Sequence, residues 1–250
     1  MSTHLIVRVA AAILLTVVLV SGWSGATADE PKAGEQVKQQ FTTKDADGNE
    51  TTLHYWLYLP AKHDGKTKLP LLMFLHGSGE RGDDLEVVKK HGPPKICTTE
   101  KDWAYITVSP QCPKDKRWDA TTLAKLVDHV AAQQQADEKR LYITGLSMGG
   151  SGSWALATNY PDKFAAAVPM CGRGDAALAE KLIKLPIWVF HGAKDVGSPV
   201  ALSETMVEAI KKAGGEKVKL TIDPDAGHDC WTTAYGKPEL YQWLLEQKRP

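Results

Sequence analysis

Cysteine is scarce in this chain, and no stretch of it is apolar for the ~20 consecutive residues that a membrane-spanning helix needs. Four cysteines occur, none of them before Cys97 and none in a C-x-x-C pair. That excludes a lipid-modified cysteine near the N-terminus and leaves a zinc site without its usual ligand spacing. A surplus of one charge is missing too, since 30 Lys and Arg face 30 Asp and Glu. Phosphate backbones are bound by clustered cations, so nucleic acid is not an expected partner. Repeats, low-complexity tracts and linkers are also absent beyond the first residues. With 43% hydrophobic residues, the composition excludes disorder and fibrous architectures. No cofactor or metal is expected.

What is present begins with an address. Met1–Ala28 reads as a secretory signal: Arg8, then twelve uncharged, mostly apolar residues from Val9 to Val20, then Ala26-Thr27-Ala28 as an A-x-A cleavage pattern. The expected division is a signal peptide over 1–28 and one domain over 29–250, exported to the periplasm or medium, with no stable membrane anchor after cleavage. Export makes disulfides permissible. Cys97 and Cys112 flank a predicted loop and strand and form one candidate pair. Cys171 with Cys230 is another, although Cys171 also reads as a small buried hydrophobe.

Phe41 to Leu59 predicts a hairpin turning at Asp47-Gly48. From Leu69 onward, short apolar runs alternate with helical patterns. The strands are expected at Leu71–Leu75, Tyr105–Ser109, Leu141–Thr144, Ala165–Met170, Ile187–Phe190 and Val218–Ile222. Near-continuous apolar runs of this kind suit strands covered on both faces. Helices are expected near Leu85–His91, Leu123–Gln135, Gly150–Asn159, Ala176–Ile183, Pro199–Ala213 and Pro238–Glu246. The alternation predicts an α/β fold with a mostly parallel, doubly wound sheet flanked by helices.

Chemistry in such sheets belongs after the carboxyl ends of strands. Gly145-Leu146-Ser147-Met148-Gly149 is G-x-S-x-G between a predicted strand and a helix, which marks Ser147 as a nucleophile. A hydroxyl needs a base, and the base needs an orienting carboxylate. Asp195 follows the strand at Ile187–Phe190, and His228 follows the strand at Val218–Ile222. The order Ser, acid, His is that of one hydrolytic triad arrangement. His76 and His191 also follow strands but read as structural. A developing oxyanion needs two aimed N–H groups. The amide of Met148 is one candidate, and that of Ser78 in the loop His76–Gly82 is the other. A phosphate-binding reading of that glycine loop is weaker, because no G-K-[ST] follows. Trp118, Trp231 and Tyr235 are candidates for contact with substrate, and Gly92 to Trp103 is expected to wall the cleft. Arg173-Gly174-Asp175 spells an adhesion tripeptide and reads as a chance occurrence.

The stretches LPLLMFLHGSGERG from Leu69, Gln111-Cys112-Pro113 with Trp118, GLSMGG from Gly145, WVFHGAKD from Trp188 and DAGHD from Asp225 are distinctive together. In them the chain resembles the α/β-hydrolase superfamily. Within it, the chain resembles an exported bacterial esterase- and peptidase-like group, of prolyl-oligopeptidase or phospholipase/carboxylesterase type, related to polyhydroxybutyrate depolymerases and feruloyl esterases. The resemblance implies an α/β-hydrolase fold, Ser147, Asp195 and His228 as the triad, and Ser78 and Met148 as oxyanion donors. The implied substrate is an ester or a peptide, with acyl- or feruloyl-substituted compounds among the candidates. A carboxylic-ester hydrolase is the leading expectation, a serine peptidase on the same triad the alternative, and a non-catalytic binding protein the third. With 222 residues after the leader, little chain remains for a lid, so no large lid and an open cleft are expected.

Overall fold

The computed structural model describes residues 30–250, so the leader expected over Met1–Ala28 lies outside the described residues. β1 (Gln36–Lys44) and β2 (Glu50–Tyr58) form the expected antiparallel hairpin. Asp45 Oδ1 closes its turn by accepting the amides of Asp47 and Asn49, with Gly48 at φ 84°. β3 (Leu71–Leu75) is followed by two 3-10 turns, Ser78–Glu80 and Leu85–Lys90, then α1 (Gly92–Ile96) and β4 (Ile106–Pro110). Next come α2 (Ala120–Gln133), β5 (Leu141–Leu146), α3 (Met148–Asn159) and β6 (Ala166–Met170). A 3-10 segment, Ala176–Leu182, leads to β7 (Ile187–Gly192), α4 (Ala201–Lys212) and β8 (Val218–Asp223). α5 (Trp231–Tyr235) and α6 (Pro238–Glu246) complete the chain.

The eight strands lie in the order β1-β2-β4-β3-β5-β6-β7-β8, parallel from β4 to β8 and antiparallel across β1, β2 and β4. Successive strand side chains point to opposite faces, and both faces are covered. Leu71, Met73 and Leu75 of β3 join one core layer with Leu126 of α2, Trp154 of α3 and Met206 of α4. Leu72 and Phe74 join the other with Tyr142, Tyr235 and Leu240. After β3 the chain turns to β4 on one side, and after β5 it turns to β6 on the other. The loops leaving β3 and β5 therefore diverge and leave a crevice at the carboxyl edge of the sheet. Among the described residues, no helix is long and apolar enough to cross a membrane.

Several boundaries differ from expectation for local reasons. Leu85–Lys90 and Ala176–Leu182 are 3-10 rather than α, each a short segment capped by an aspartate, Asp84 or Asp175. α2 starts three residues early because Asp119 accepts from both the amide and the hydroxyl of Thr122. α3 starts two residues early because the turn at Ser147 is tight enough to enter the helix directly. The stretch expected as an irregular wall contains α1, with Pro93 and Pro94 in its first turn.

Candidate active site

Ser147 stands between β5 and α3 at φ 53° and ψ −115°, a conformation that costs energy for any residue but glycine. Its neighbours permit the turn. A Cβ on Gly149 would collide with the carbonyl of Leu75, and one on Gly145 with the carbonyl of Gly149. The Ser147 amide donates to Met170 O at 2.9 Å, which anchors the turn to β6. The hydroxyl is thereby presented at the crevice, beside the first turn of α3 and its free N–H groups.

The three residues that the sequence placed after separate strands meet here. Ser147 Oγ donates to His228 Nε2 at 2.8 Å, and His228 Nδ1 donates to Asp195 Oδ2 at 2.6 Å. Asp195 is 5% exposed, and its Oδ1 accepts the amides of Gly197 (3.0 Å) and Ser198 (2.8 Å). Burial alone would raise its pKa, but the bonds from His228 and Ser198 outweigh that and hold the carboxyl below its ordinary value. His191 sits behind it, with Nε2 donating to Ser198 O at 2.7 Å and Nδ1 accepting the Ser203 hydroxyl at 2.7 Å. His76 is likewise fully engaged: Nδ1 donates to Gly77 O at 2.6 Å and Nε2 accepts the Cys112 amide at 2.9 Å. Burial pushes its pKa down to about 4. Both therefore serve as the structural histidines expected from the sequence.

Ser78, in the segment after β3, and Met148, at the start of α3, both line the same cleft of about 700 Å³ as Ser147. Gln111 holds the β3 loop by donating to the carbonyls of Glu80 (2.9 Å) and Asp84 (2.8 Å). Gly77, Gly79 and Gly82 have the G-x-G-x-x-G spacing of dinucleotide-binding turns. Here, however, the run enters a three-residue 3-10 turn and packs against Leu146 and Ser147, rather than opening a crossover helix.

None of the three aromatic candidates lines the cleft around Ser147, although Trp231 packs against His228. Trp118 donates to His76 O at 3.2 Å and packs edge-on against His76, lining a separate cavity beside the hairpin. Tyr235 is buried, its hydroxyl 3.0 Å from that of Thr144 and its ring against Phe74. Trp231 packs edge-to-face on His228 at 5.3 Å and on His91 at 5.8 Å. The segment from Gly92 also borders Trp231 and walls a neighbouring cavity rather than the cleft. What lines the cleft instead is cationic: Arg81, Arg117 and Arg173, with no carboxylate among the described lining residues. Arg81 and Arg173 lay in stretches already singled out, but a single sequence does not show which way a loop arginine turns.

All four cysteines are free and buried, so neither of the pairs considered from the sequence, Cys97–Cys112 and Cys171–Cys230, is formed. Cys171 Sγ, an Asp195 oxygen and a His228 nitrogen lie within 4.8 Å of one another. Both His228 nitrogens and the Asp195 carboxylate are already committed to hydrogen bonds, so this cluster is a thiol packed against the relay.

The sequence model of the dienelactone hydrolase family matches residues 108–235, about half of the chain and the part that holds Ser147, Asp195 and His228. A Salmonella typhimurium protein provisionally named carboxymethylenebutenolidase is 33% identical over 123 residues, 44% of each chain. The chain thus spans less than half the length of that relative. A thermostable esterase of known structure is 33% identical and superposes with a TM-score of 0.71 over 85% of this chain and 63% of its own. An acylaminoacyl peptidase from Pyrococcus horikoshii, 16% identical, superposes at 0.60 over 86% of this chain and 42% of its own, a likeness of fold alone. With the strand order above, these similarities make the architecture an α/β-hydrolase fold.

Proposed function

The chain belongs to the dienelactone hydrolase family, and from that premise we propose that it hydrolyses carboxylic esters through Ser147, His228 and Asp195. A lactone is itself a cyclic ester, so the family's name fits this chemistry. The reading is carried by one observation: a strained serine at the crevice, 2.8 Å from a histidine that is in turn 2.6 Å from a buried carboxylate. Ser147 Oγ attacks the ester carbonyl while His228 Nε2 takes its proton. The tetrahedral oxyanion lies against the amides of Met148 and Ser78. His228 then protonates the leaving alcohol, activates water and releases the acid from the acyl-enzyme, with Asp195 holding the imidazole in the productive tautomer.

The three arginines favour esters that carry negative charge, because cations without an ion-pair partner among the described residues raise the local concentration of anions around a cleft. The carboxymethyl group in the name of the Salmonella relative is of that kind. The leader adds that the protein works outside the cytoplasm, in the periplasm or the medium. An exported form beginning at Asp29 is the expected product, and full-length protein retained in the cytosol would contradict it.

The test is hydrolysis of p-nitrophenyl acetate. Ser147→Ala is expected to lose about 10⁴-fold or more in kcat, and a fluorophosphonate probe is expected to label only the unaltered protein. Undiminished turnover in the variant would sink the assignment. Peptide p-nitroanilides cleaved faster than esters would replace it with a peptidase, and no labelling at all with a binding protein.

A further inference from the structure

The three triad residues are not held equally. The amide of Ser147 donates to Met170 O at 2.9 Å, and that of Asp195 to Gly192 O at 3.3 Å. Among the described residues, His228 and its neighbours Gly227 and Asp229 make no hydrogen bond through their backbone atoms. The loop is seated only by contact, where the Gly227 carbonyl lies on Gly192. The imidazole is therefore aimed by its two ring bonds, to Ser147 and Asp195. The first is lost in every turnover, because Ser147 Oγ carrying an acyl group has no proton to donate. The bond that remains is a single contact about which the ring can swing.

Trp231 stands against that swing. It opens α5 three residues after His228, and its ring lies 5.3 Å from that of His228 at an interplanar angle of 85°. A second ring, His91, meets it at 5.8 Å and 69°, and His91 Nε2 is 3.9 Å from the buried carboxylate of Glu80. A cavity of about 360 Å³ borders Trp231 and His91, so on that side the indole is braced by His91 rather than by a filled core. The indole Nε1 is buried with no partner among the described residues, so ring packing and not a hydrogen bond keeps it in place.

We propose that Trp231 is a positioning residue for the second half of the reaction, keeping His228 aimed while Ser147 is acylated. This role rests on the ester hydrolysis proposed above. In that half, His228 Nε2 takes a proton from water as the water oxygen bonds to the acyl carbon. The bond from that carbon to Ser147 Oγ then breaks, Oγ recovers the proton from Nε2, and the acid leaves. Acylation begins with Ser147 Oγ still donating to Nε2 at 2.8 Å, so it depends less on the indole. Loss of the ring therefore slows deacylation more than acylation.

The test compares kcat with KM for p-nitrophenyl acetate, whose good leaving group makes deacylation the slow step. Active sites are counted by fluorophosphonate titration, which leaves misfolded protein out. Trp231→Ala is expected to lose about tenfold to a hundredfold in kcat per site but only about threefold in kcat/KM, so that KM falls with kcat. Trp231→Phe keeps a ring and gives up only the unpartnered N–H, and is expected to hold kcat within about threefold of the unaltered protein. Trp231→Leu, apolar but without a ring, repeats the comparison if the alanine variant yields no titratable sites. Equal losses in kcat and kcat/KM, no loss at all, or a phenylalanine variant no better than the ringless ones would overturn the positioning role alone. If the unaltered protein neither hydrolyses the ester nor takes the label, the reaction itself is wrong and this role falls with it.

Discussion

Asp195 Oδ1 accepts the amide of Ser198 at 2.8 Å, which leaves only Oδ2 to face His228. This division makes Asp195→Asn an informative variant. The amide oxygen can keep the bonds to Gly197 and Ser198, so the NH₂ group is turned toward His228 Nδ1. Two donors cannot share that contact, and the imidazole is forced to carry its proton on Nε2, where it no longer accepts from Ser147. The expected outcome is a fall in kcat of about 10⁴-fold with little change in the melting curve. A loss of activity matched by a loss of folding would mean that the carboxylate acts through stability instead.

Gly149 is required by contact between two backbones rather than by its own dihedral angles. The first turn of α3 lies directly on the carbonyl of Leu75, and that carbonyl is fixed within the sheet. Gly149→Ala is expected to cost about 3 kcal/mol, the upper part of the range for overpacking, because neither backbone can yield. Gly79→Ala is the control, since no atom stands within 4 Å of its added Cβ. Urea midpoints measure both, and equal midpoints would refute the contact.

His76 gives the fold a defined sensitivity to acid. Its pKa falls from an ordinary 6.5 to about 4, chiefly because burial disfavours the charged ring. In the unfolded chain the same ring takes up its proton near pH 6.5. Between these values the unfolded state holds the extra proton, so stability is complete above 6.5 and is lost as pH falls toward 4. The loss is on the order of 3 kcal/mol. His76→Gln removes the titration. Its stability, measured by denaturant unfolding from pH 4 to 7, is expected to show one proton's worth less slope, and an unchanged slope would assign the acid sensitivity to other groups.

Much of this was legible in the sequence because the chemistry is tied to strand ends. Each of Ser147, Asp195 and His228 follows a short apolar run, and parallel strands buried on both faces bring such ends to one edge whatever their separation along the chain. The character of the short helical segments was not legible. Leu85–Lys90 and Ala176–Leu182 carry helical spacing, and only their packing decides between 3-10 and α. The placement of the aromatic rings was not legible for a similar reason. Trp231 and Tyr235 sit one turn apart on α5, yet one ring abuts His228 and the other enters the core with Thr144. A ring's type says that it will bury surface, not on which side. Arg81 and Arg173 escaped notice because loop cations are common, and their significance comes from converging on one cleft.

That convergence makes the last prediction one of charge selectivity. Arg117 and Arg173 are exposed, while Arg81 is half-buried and anchored by bonds from its guanidinium to the carbonyls of Ser78 (3.1 Å) and Lys116 (3.2 Å). Arg173 is the one to remove, because its amide, held by Ser151 Oγ at 2.9 Å, keeps the loop in place without the side chain. A negatively charged ester such as p-nitrophenyl hemisuccinate is expected to react with a higher kcat/KM than the neutral acetate. Arg173→Gln is expected to reduce that preference about threefold to tenfold and to leave the acetate unaffected, as the effect of one exposed cation is modest. Raising salt from 0.05 to 0.5 M (arbitrary test concentrations, roughly a threefold contraction of the screening length) is expected to erase much of the preference in the unaltered protein and little in the variant. Equal values for the two esters at low salt would show that the arginines do not select the substrate.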